Sequence, residues 1–283
     1  MRLFLLTCVV MVAFAANSVL NRMAVGAGAI GAVEFAVVRL VAGAGVLLAL
    51  VAWRGRGRGR GWRGATVGGV VGLSVYLFGF SLAYGRLEAG TGALVLFAVV
   101  QVTMFAGALW AGEVVPARRW AGAGLALAGL AVLVAPAGGG WAGFAAMAAA
   151  GVGWGVYSLA GRGARDALAA TAGNFVLALG PAAGVALVAG VDMGAATGRG
   201  VGLALVSGAV TSGLGYALWY AVLPALGAGR AAVAQLTVPL IAAAGGALMM
   251  GEAVGWRFAV AALLVLGGVA WASWPRAVSR GGG

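Results

Sequence analysis

The sequence predicts an all-α membrane protein: ten transmembrane helices as a 5+5 inverted repeat, with both termini in the cytosol (N-in/C-in). Three observations carry this. Of the 283 residues, 63% are hydrophobic and only 8% charged, with a mean hydropathy of +1.07, whereas a soluble domain carries about a quarter charged residues. The stretch GTGALVLFAVVQVTMFAGALWAGEVVPARRWAGAGLALAGLAVLVAP (90–136) returns as GRAAVAQLTVPLIAAAGGALMMGEAVGWRFAVAALLVLGGVAWASWP (229–275), without a gap and identical at roughly a third of positions. Gly112-Glu113 falls on Gly251-Glu252, Arg118 on Arg257 and Pro136 on Pro275. Arginine, finally, is concentrated in alternate loops, as the positive-inside rule requires.

A span needs about 20 mostly apolar residues to cross a hydrocarbon core of about 30 Å. The first candidate, 3–24, follows Met1-Arg2 and runs on through Asn17 and Asn21 without a small-residue cleavage site, so it reads as a span rather than a leader. Gly26 to Gly31 breaks it from the second, 30–53. The run from Arg54 to Arg63 looks like an RNA-binding arginine–glycine segment, but it reads as a cytosolic loop, so no nucleic-acid partner is expected. The third and fourth spans are 65–85 and 88–110; Gly112-Glu113 and Pro116 then turn the chain into the fifth, 117–135. Pro136 to Gly140 separates the halves. The second half follows with spans 141–160, 168–190, 199–221, 229–251 and 256–274, broken at Arg162–Asp166, Asp192–Gly200 and Pro224–Gly229. The repeats are 1–135 and 141–275, with 276–283 as a cytosolic tail.

With the N-terminus inside, the cytosolic face receives Arg2, the arginine loop, Arg118, Arg119, Arg162, Arg165, Arg230, Arg276 and Arg280. The other face receives only Arg22, Arg86, Arg199 and Arg257. Five spans per half make the second repeat enter from the opposite side, the pattern by which many secondary transporters build a midplane site. The first and sixth spans agree: Phe14, Asn17, Ser18 and Arg22 fall on Trp154, Tyr157, Ser158 and Arg162.

These features resemble a known family. NSVLNR closing the first span, Arg39 in FAVVRL and the doubled Gly-Glu corner look like the EamA-domain branch of the drug/metabolite transporter superfamily. The resemblance spans essentially the whole chain. The aromatic third and eighth spans and the lack of intramembrane acids look most like YddG-type aromatic amino-acid exporters. The resemblance implies export of small metabolites, aromatic or other neutral amino acids first, from the bacterial cytoplasmic (inner) membrane by a chain functional as a monomer. The fourth span departs from the pattern, having Val100-Gln101 where the ninth has Val238-Pro239, so a half-helix break is expected on one side only. The first span lacks the glutamate of small multidrug cation carriers.

Polar side chains within a bilayer are expensive and often functional. Arg39 sits about 14 Å down its helix, near the midplane. It suits either a bidentate hold on a substrate carboxylate or a clamp on backbone carbonyls. Glu34 is the one acid placed inside a span, near its outer end, and transport is expected not to be tightly proton-coupled. Tyr216, Trp219 and Tyr220, with Thr211 or Ser212, share one helical face, as do Tyr76, Phe80 and Tyr84, and Trp154, Tyr157 and Ser158. Such stripes line a cavity, pack between helices or form an interfacial belt, the last suiting Tyr84 and Tyr220. Asn17, Asn21, Gln101, Asn174, Gln235 and Thr237 offer neutral hydrogen bonds, and Pro239 frees the Gln235 carbonyl for a substrate ammonium. Gly112, Glu113, Gly251 and Glu252 read as scaffold or gate hinges, each glutamate charge-matched to the N-terminus of the helix that follows it.

No histidine and no pair of embedded aspartates exist, which removes HExxH zinc chemistry, a serine–histidine arrangement and aspartyl hydrolysis. The single cysteine, Cys8, builds no disulfide or thiol metal site. No enzyme activity, cofactor or metal is expected. The partners are a small-molecule substrate and the lipid bilayer. The competing readings are a drug or nucleoside-like carrier and, in another class, a channel-like membrane protein.

Overall fold

The computed structural model describes residues 1–55, 64–113, 115–134, 141–162 and 164–273. Most of the arginine loop, Pro136–Gly140, Pro275 and the tail lie outside the described residues. The described chain is helical throughout: α1 (Arg2–Asn21), α2 (Ala32–Gly55), α3 (Val67–Tyr84), α4 (Ala89–Trp110), α5 (Ala117–Val134), α6 (Trp141–Gly161), α7 (Ala167–Ala189), α8 (Gly198–Val206), α9 (Gly215–Gln235), α10 (Val238–Met250) and α11 (Trp256–Ser273). A π-helical turn, Arg22–Gly26, extends α1, and a π-helical stretch, Ser207–Leu214, joins α8 to α9, so ten helical rods result. Among the described residues, seven helices are long and apolar enough to cross a membrane.

The hydrophobic side chains divide between lipid and core as a bilayer demands. Leu5, Val9, Leu187, Val188, Leu248 and Leu263 are exposed, while Val10, Leu40, Leu77, Leu94 and Phe175 are fully buried. Trp53, Trp110, Trp120, Trp141, Trp256 and Trp271 stand exposed near helix ends, where amphipathic rings settle at headgroup level. Tyr84, assigned to that belt as one reading of the sequence, does not belong there. It is fully buried, its ring edge-on to Phe80 at 4.7 Å and its hydroxyl donating to the Ala89 carbonyl at 3.3 Å.

The helical assignment of α9 runs on through Pro224–Gly229, and an interruption comes at Leu236-Thr237. Proline and glycine punctuate helices in water, but without water to accept freed amides, backbone in a bilayer stays helical where it can. The rod nonetheless turns back on itself. Tyr216 and Gln235 line one small cavity of about 20 Å³, whereas a straight helix would hold them about 28 Å apart. Pro239 lies in the first turn of α10, just after that interruption, where the missing N–H costs nothing. Opposite it α4 is unbroken from Ala89 to Trp110, so the break occurs on one side only.

The packing has a paired character. α3 lies along α6 as α1 lies along the π stretch and α9; α4 meets α6 as α10 meets α1. α2 packs on α7 and α5 on α11. The α3–α6 crossing depends on two glycines. A Cβ on Gly153 would stand 2.6 Å from the Gly72 carbonyl oxygen and 2.7 Å from the Tyr76 nitrogen; one on Gly72 would stand 2.7 Å from the Gly153 carbonyl oxygen. Backbone cannot yield as a side-chain tip can. We expect Gly153→Val to lower stability by about 1–3 kcal/mol, the usual cost of overpacking, read as an earlier melt of detergent-solubilised protein. A melt matching wild type would mean that the crossing is looser than described.

Candidate functional site

A cavity of about 890 Å³ enters the bundle from the end that carries Arg118 and Arg119 in the first turn of α5 and Arg162 just after α6. Gln101, Met104 and Phe105 of α4, Trp154, Tyr157 and Ser158 of α6, and Trp219, Tyr220 and Leu223 of α9 form its walls. Tyr216, Trp154 and Gln235 reach its inner end and also line the small cavity beyond it, with Phe14, Asn17, Tyr76, Leu96 and Phe97. Trp154 lies about 12 Å along α6 from Arg162, so the cavity ends near the middle of the bundle.

The floor is a lattice of rings. Trp154 stands 4.8 Å from Tyr76, 5.3 Å from Tyr216 and stacks on Tyr157 at 5.3 Å. Phe14 closes edge-on against Tyr216 and Trp219, each at 5.7 Å. Tyr157 is fixed by donation to Thr171 Oγ1 at 3.1 Å. Such contacts are worth about 0.5–1.5 kcal/mol each beyond area burial, enough to hold the rings as one surface.

Arg39 lies behind this floor, fully buried, and lines neither cavity. Its Nε donates to Ser212 Oγ and its Nη2 to Tyr76 Oη, both at 3.0 Å. The guanidinium faces the rings of Tyr76 at 5.3 Å and Phe80 at 5.0 Å. It clamps no backbone carbonyl, contrary to one of the two expectations; its partners are hydroxyls and ring faces, which can take up a π-rich hold on a cation. Nη1 is buried without a hydrogen bond, as is the hydroxyl of Tyr216. No acid pairs with Arg39 among the described residues.

The π stretch Ser207–Leu214 explains how Ser212 reaches Arg39. π-helical insertions recur at functional sites because they rotate the following side chains and loosen the ladder. Here the stretch turns Ser207, Thr211 and Ser212 inward together. All three hydroxyls lie within hydrogen-bonding distance of Asn17 Oδ1, at 2.8, 2.5 and 3.4 Å, while Asn17 Nδ2 donates to the Thr211 carbonyl at 3.3 Å. The Asn17 amide is therefore occupied as an interhelical clamp, although its side chain borders the small cavity.

Other sequence candidates are placed elsewhere. Asn174 lies outside both cavities; its Oδ1 accepts from Thr66 N at 3.2 Å, tying α7 to the start of α3. Pro239 is buried at the start of α10 and lines neither cavity. Ser158 reaches the cavity wall but donates back to the Trp154 carbonyl at 2.7 Å. Glu34 lies in the first turn of α2, accepting from Asp192 N at 3.2 Å, outside the cavities.

The Gly-Glu corners differ from expectation in their partners. Gly112 and Gly251 hold positive φ, 71° and 70°, which lets the chain leave α4 and α10 abruptly. Glu252, however, does not cap the helix that follows it. Its Oε2 accepts from Ala89 N, at the N-terminus of α4 in the other half, at 2.8 Å, and its Oε1 pairs with Arg22 Nε at 2.8 Å. A carboxylate suits any helix N-terminus within reach, and the α4 terminus lies nearer. Glu113 faces Arg162 instead, at 3.5 Å. Beside the first pair, partial burial and then the charge of Glu252 push the Glu88 carboxyl above the usual carboxylate range, partly offset by Arg22.

The comparisons agree with this architecture. A protein of known crystal structure superposes with a TM-score of 0.66 at 23% identity, covering 94% of this chain and 98% of its own, and so shares the fold. The uncharacterized protein PA1977 of Pseudomonas aeruginosa is 46% identical over 281 residues, 97% of this chain and 96% of that one. The EamA-like transporter family matches residues 1–135 and again 141–274. Nearly the whole length of this multi-pass membrane protein is thereby accounted for, and the chain belongs to the EamA-like transporter family.

Proposed function

We propose that the chain exports small metabolites, aromatic or other neutral amino acids first among them, by alternating access at its central cavity. The observation that carries this is the cavity itself: open at one end, closed at the other, and floored by Trp154, Tyr216 and Tyr76. Its volume of about 890 Å³ lies within the usual range for small-molecule sites. Ring faces stack on a planar solute, while Gln101, Gln235 and Tyr220 border the same space with hydrogen-bonding groups. Arginines line the mouth and, among the described residues, no acid lines the cavity, a field that favours a carboxylate and repels a cation.

Arg39 completes the site from behind. A guanidinium without a counter-charge among the described residues, holding Tyr76 by its hydroxyl, puts positive potential just under the floor; Nη1 is the group left to meet a carboxylate if the rings part. The inverted 5+5 arrangement is supported by the paired helix contacts and by a family match that occurs once in each half. We read the mouth as facing the cytosol of a bacterial inner membrane, a reading that the arginine distribution supports, and the chain as a monomer in an inward-open state.

Uptake of labelled amino acids into proteoliposomes tests this, with competition by threonine, methionine, phenylalanine, tryptophan and a cationic dye. Saturable flux of phenylalanine or tryptophan is expected. Movement of the dye alone would overturn the cargo, and unsaturable flux would point to a channel. Nucleoside-like solutes remain the second reading, because the same rings stack on bases. Glu34→Gln is expected to match wild type across an imposed proton gradient, since Glu34 touches neither cavity; its collapse would sink the uncoupled reading.

A further inference from the structure

Two buried donors lie at the aromatic floor with nothing to donate to. A guanidinium carries five N–H donors in a fixed plane. Arg39 commits Nε to Ser212 Oγ and Nη2 to Tyr76 Oη, each at 3.0 Å, and leaves Nη1 buried without a hydrogen bond. The hydroxyl of Tyr216 is buried in the same condition. The two share one neighbourhood. Tyr216 follows Ser212 by about one helical turn, and the phenols of Tyr76 and Tyr216 are the groups that act electrostatically on Arg39. Buried polar groups are nearly always paired, so two orphans beside a cavity mark a place for ligand atoms.

The space beside them has the size of a head group. Tyr216 borders both the large cavity and the chamber of about 20 Å³ beyond it, which Tyr76, Asn17 and Gln235 also line. Such a volume admits about one water-sized group, the scale of a carboxylate oxygen. Provision for an ammonium is missing. Among the described residues no aspartate or glutamate lines either cavity, and Arg118, Arg119 and Arg162 stand at the mouth. The rings of Tyr76 and Phe80 are already faced by Arg39, at 5.3 and 5.0 Å. An entering ammonium is left with the amide oxygens of Gln101 and Gln235 and the outer rings, against a positive field. A carboxylate meets a guanidinium and a phenol, and charge-assisted hydrogen bonds are the stronger kind.

We propose that the site reads the carboxylate of its cargo and leaves the ammonium unread, so that its substrate class is the aromatic monocarboxylate, with or without an α-amine. The inference rests on the proposed transport at this cavity and narrows it: an amino acid is held as an acid whose amine is tolerated. The ring stacks on Trp154, and the carboxylate accepts from Tyr216 Oη and, as the floor parts, from Arg39 Nη1. Discrimination then follows from what each analogue leaves unpaired. A ligand without an anionic head leaves both donors orphaned, as they stand now, whereas a ligand without an amine leaves no protein group unpaired.

Titration calorimetry of the purified protein in detergent tests this with four ligands that share one ring: phenylalanine, 3-phenylpropionate, 3-phenylpropionamide and 2-phenylethylamine. The propionate is expected to bind within threefold of phenylalanine or more tightly, and the amide and the amine at least tenfold more weakly than the propionate. Arg39→Met is expected to bring the propionate and the amide to nearly equal affinity. Tyr216→Phe, which keeps the ring, is expected to weaken the propionate at least threefold; with the wild-type series it decides the matter even where Arg39→Met fails to fold. An amine bound as tightly as the propionate would overturn the proposal. A propionate more than threefold weaker than phenylalanine would also overturn it, by showing that the ammonium is read, while leaving amino-acid transport intact. Full preference for the propionate in both variants would remove the two donors from the site. Binding of none of the four would overturn the cavity assignment together with the inference.

Discussion

Replacing Arg39 with methionine is expected to reduce transport at least tenfold while leaving the melting temperature in detergent equal to wild type or higher. Two opposing effects decide the second half of that statement. Methionine removes the bonds to Ser212 and Tyr76, each worth about 1.5–3 kcal/mol when one partner is charged. It also removes a fully buried guanidinium that has no ion pair among the described residues, whose desolvation costs several kcal/mol. The orphaned Ser212 hydroxyl has an acceptor already in place, Asn17 Oδ1 at 3.4 Å. The bonds lost are therefore offset by the charge no longer buried. Transport has no such compensation: the positive potential under the floor disappears and Tyr76 loses its tether. Arg39→Lys is the informative companion. It keeps the charge but cannot span two hydroxyls with a planar fork, so it is expected to melt earlier than the methionine variant and to transport poorly. An Arg39→Met protein that melts well below wild type yet keeps its flux would make Arg39 a strut and nothing more.

Much of this was legible in the sequence, for reasons particular residues make clear. Hydropathy and the turn residues between spans marked the helices, because the bilayer leaves little freedom about where apolar segments go. The repeated Gly-Glu corners were readable because positive φ at Gly112 and Gly251 is a demand that glycine meets locally. What escaped was non-local. Glu252 chose the α4 terminus over its own helix, and Tyr84 proved to be core rather than belt, because both outcomes depend on which helix packs alongside. The π stretch had no signature beyond its three hydroxyl side chains, whose common partner Asn17 lies far away in sequence. The arginines that meet the two Gly-Glu corners did leave a trace, since Arg22 and Arg162 coincide when the first and sixth spans are overlaid. Of the stripe residues, Tyr76, Trp154, Tyr157, Tyr216, Trp219 and Tyr220 do meet around one space, whereas Asn174 and Pro239 serve packing and helix initiation.

Trp154→Ala is the substitution expected to separate aromatic cargo from other cargo most sharply. The indole is the hub of the floor, in contact with Tyr76, Tyr157 and Tyr216, and it lines both cavities. Removing it takes away one stacking face for a planar solute and the brace that holds three tyrosines together. Loss of about 1.4 kcal/mol or more in binding, a plausible sum of two ring contacts at about 0.5–1.5 kcal/mol each, is a tenfold or larger rise in the half-saturating concentration of phenylalanine or tryptophan. Threonine competition is expected to change less than threefold, because a non-aromatic side chain does not use the stack. Trp154→Phe is expected to restore most of the affinity. Trp219→Ala supplies the comparison: it also lines the cavity, but its ring contact is with Phe14 alone among the described residues, so its effect is expected to be smaller. Equal losses for threonine and phenylalanine in Trp154→Ala would show that the floor is a structural partition and that the cargo is held by the polar wall around Gln101 and Gln235.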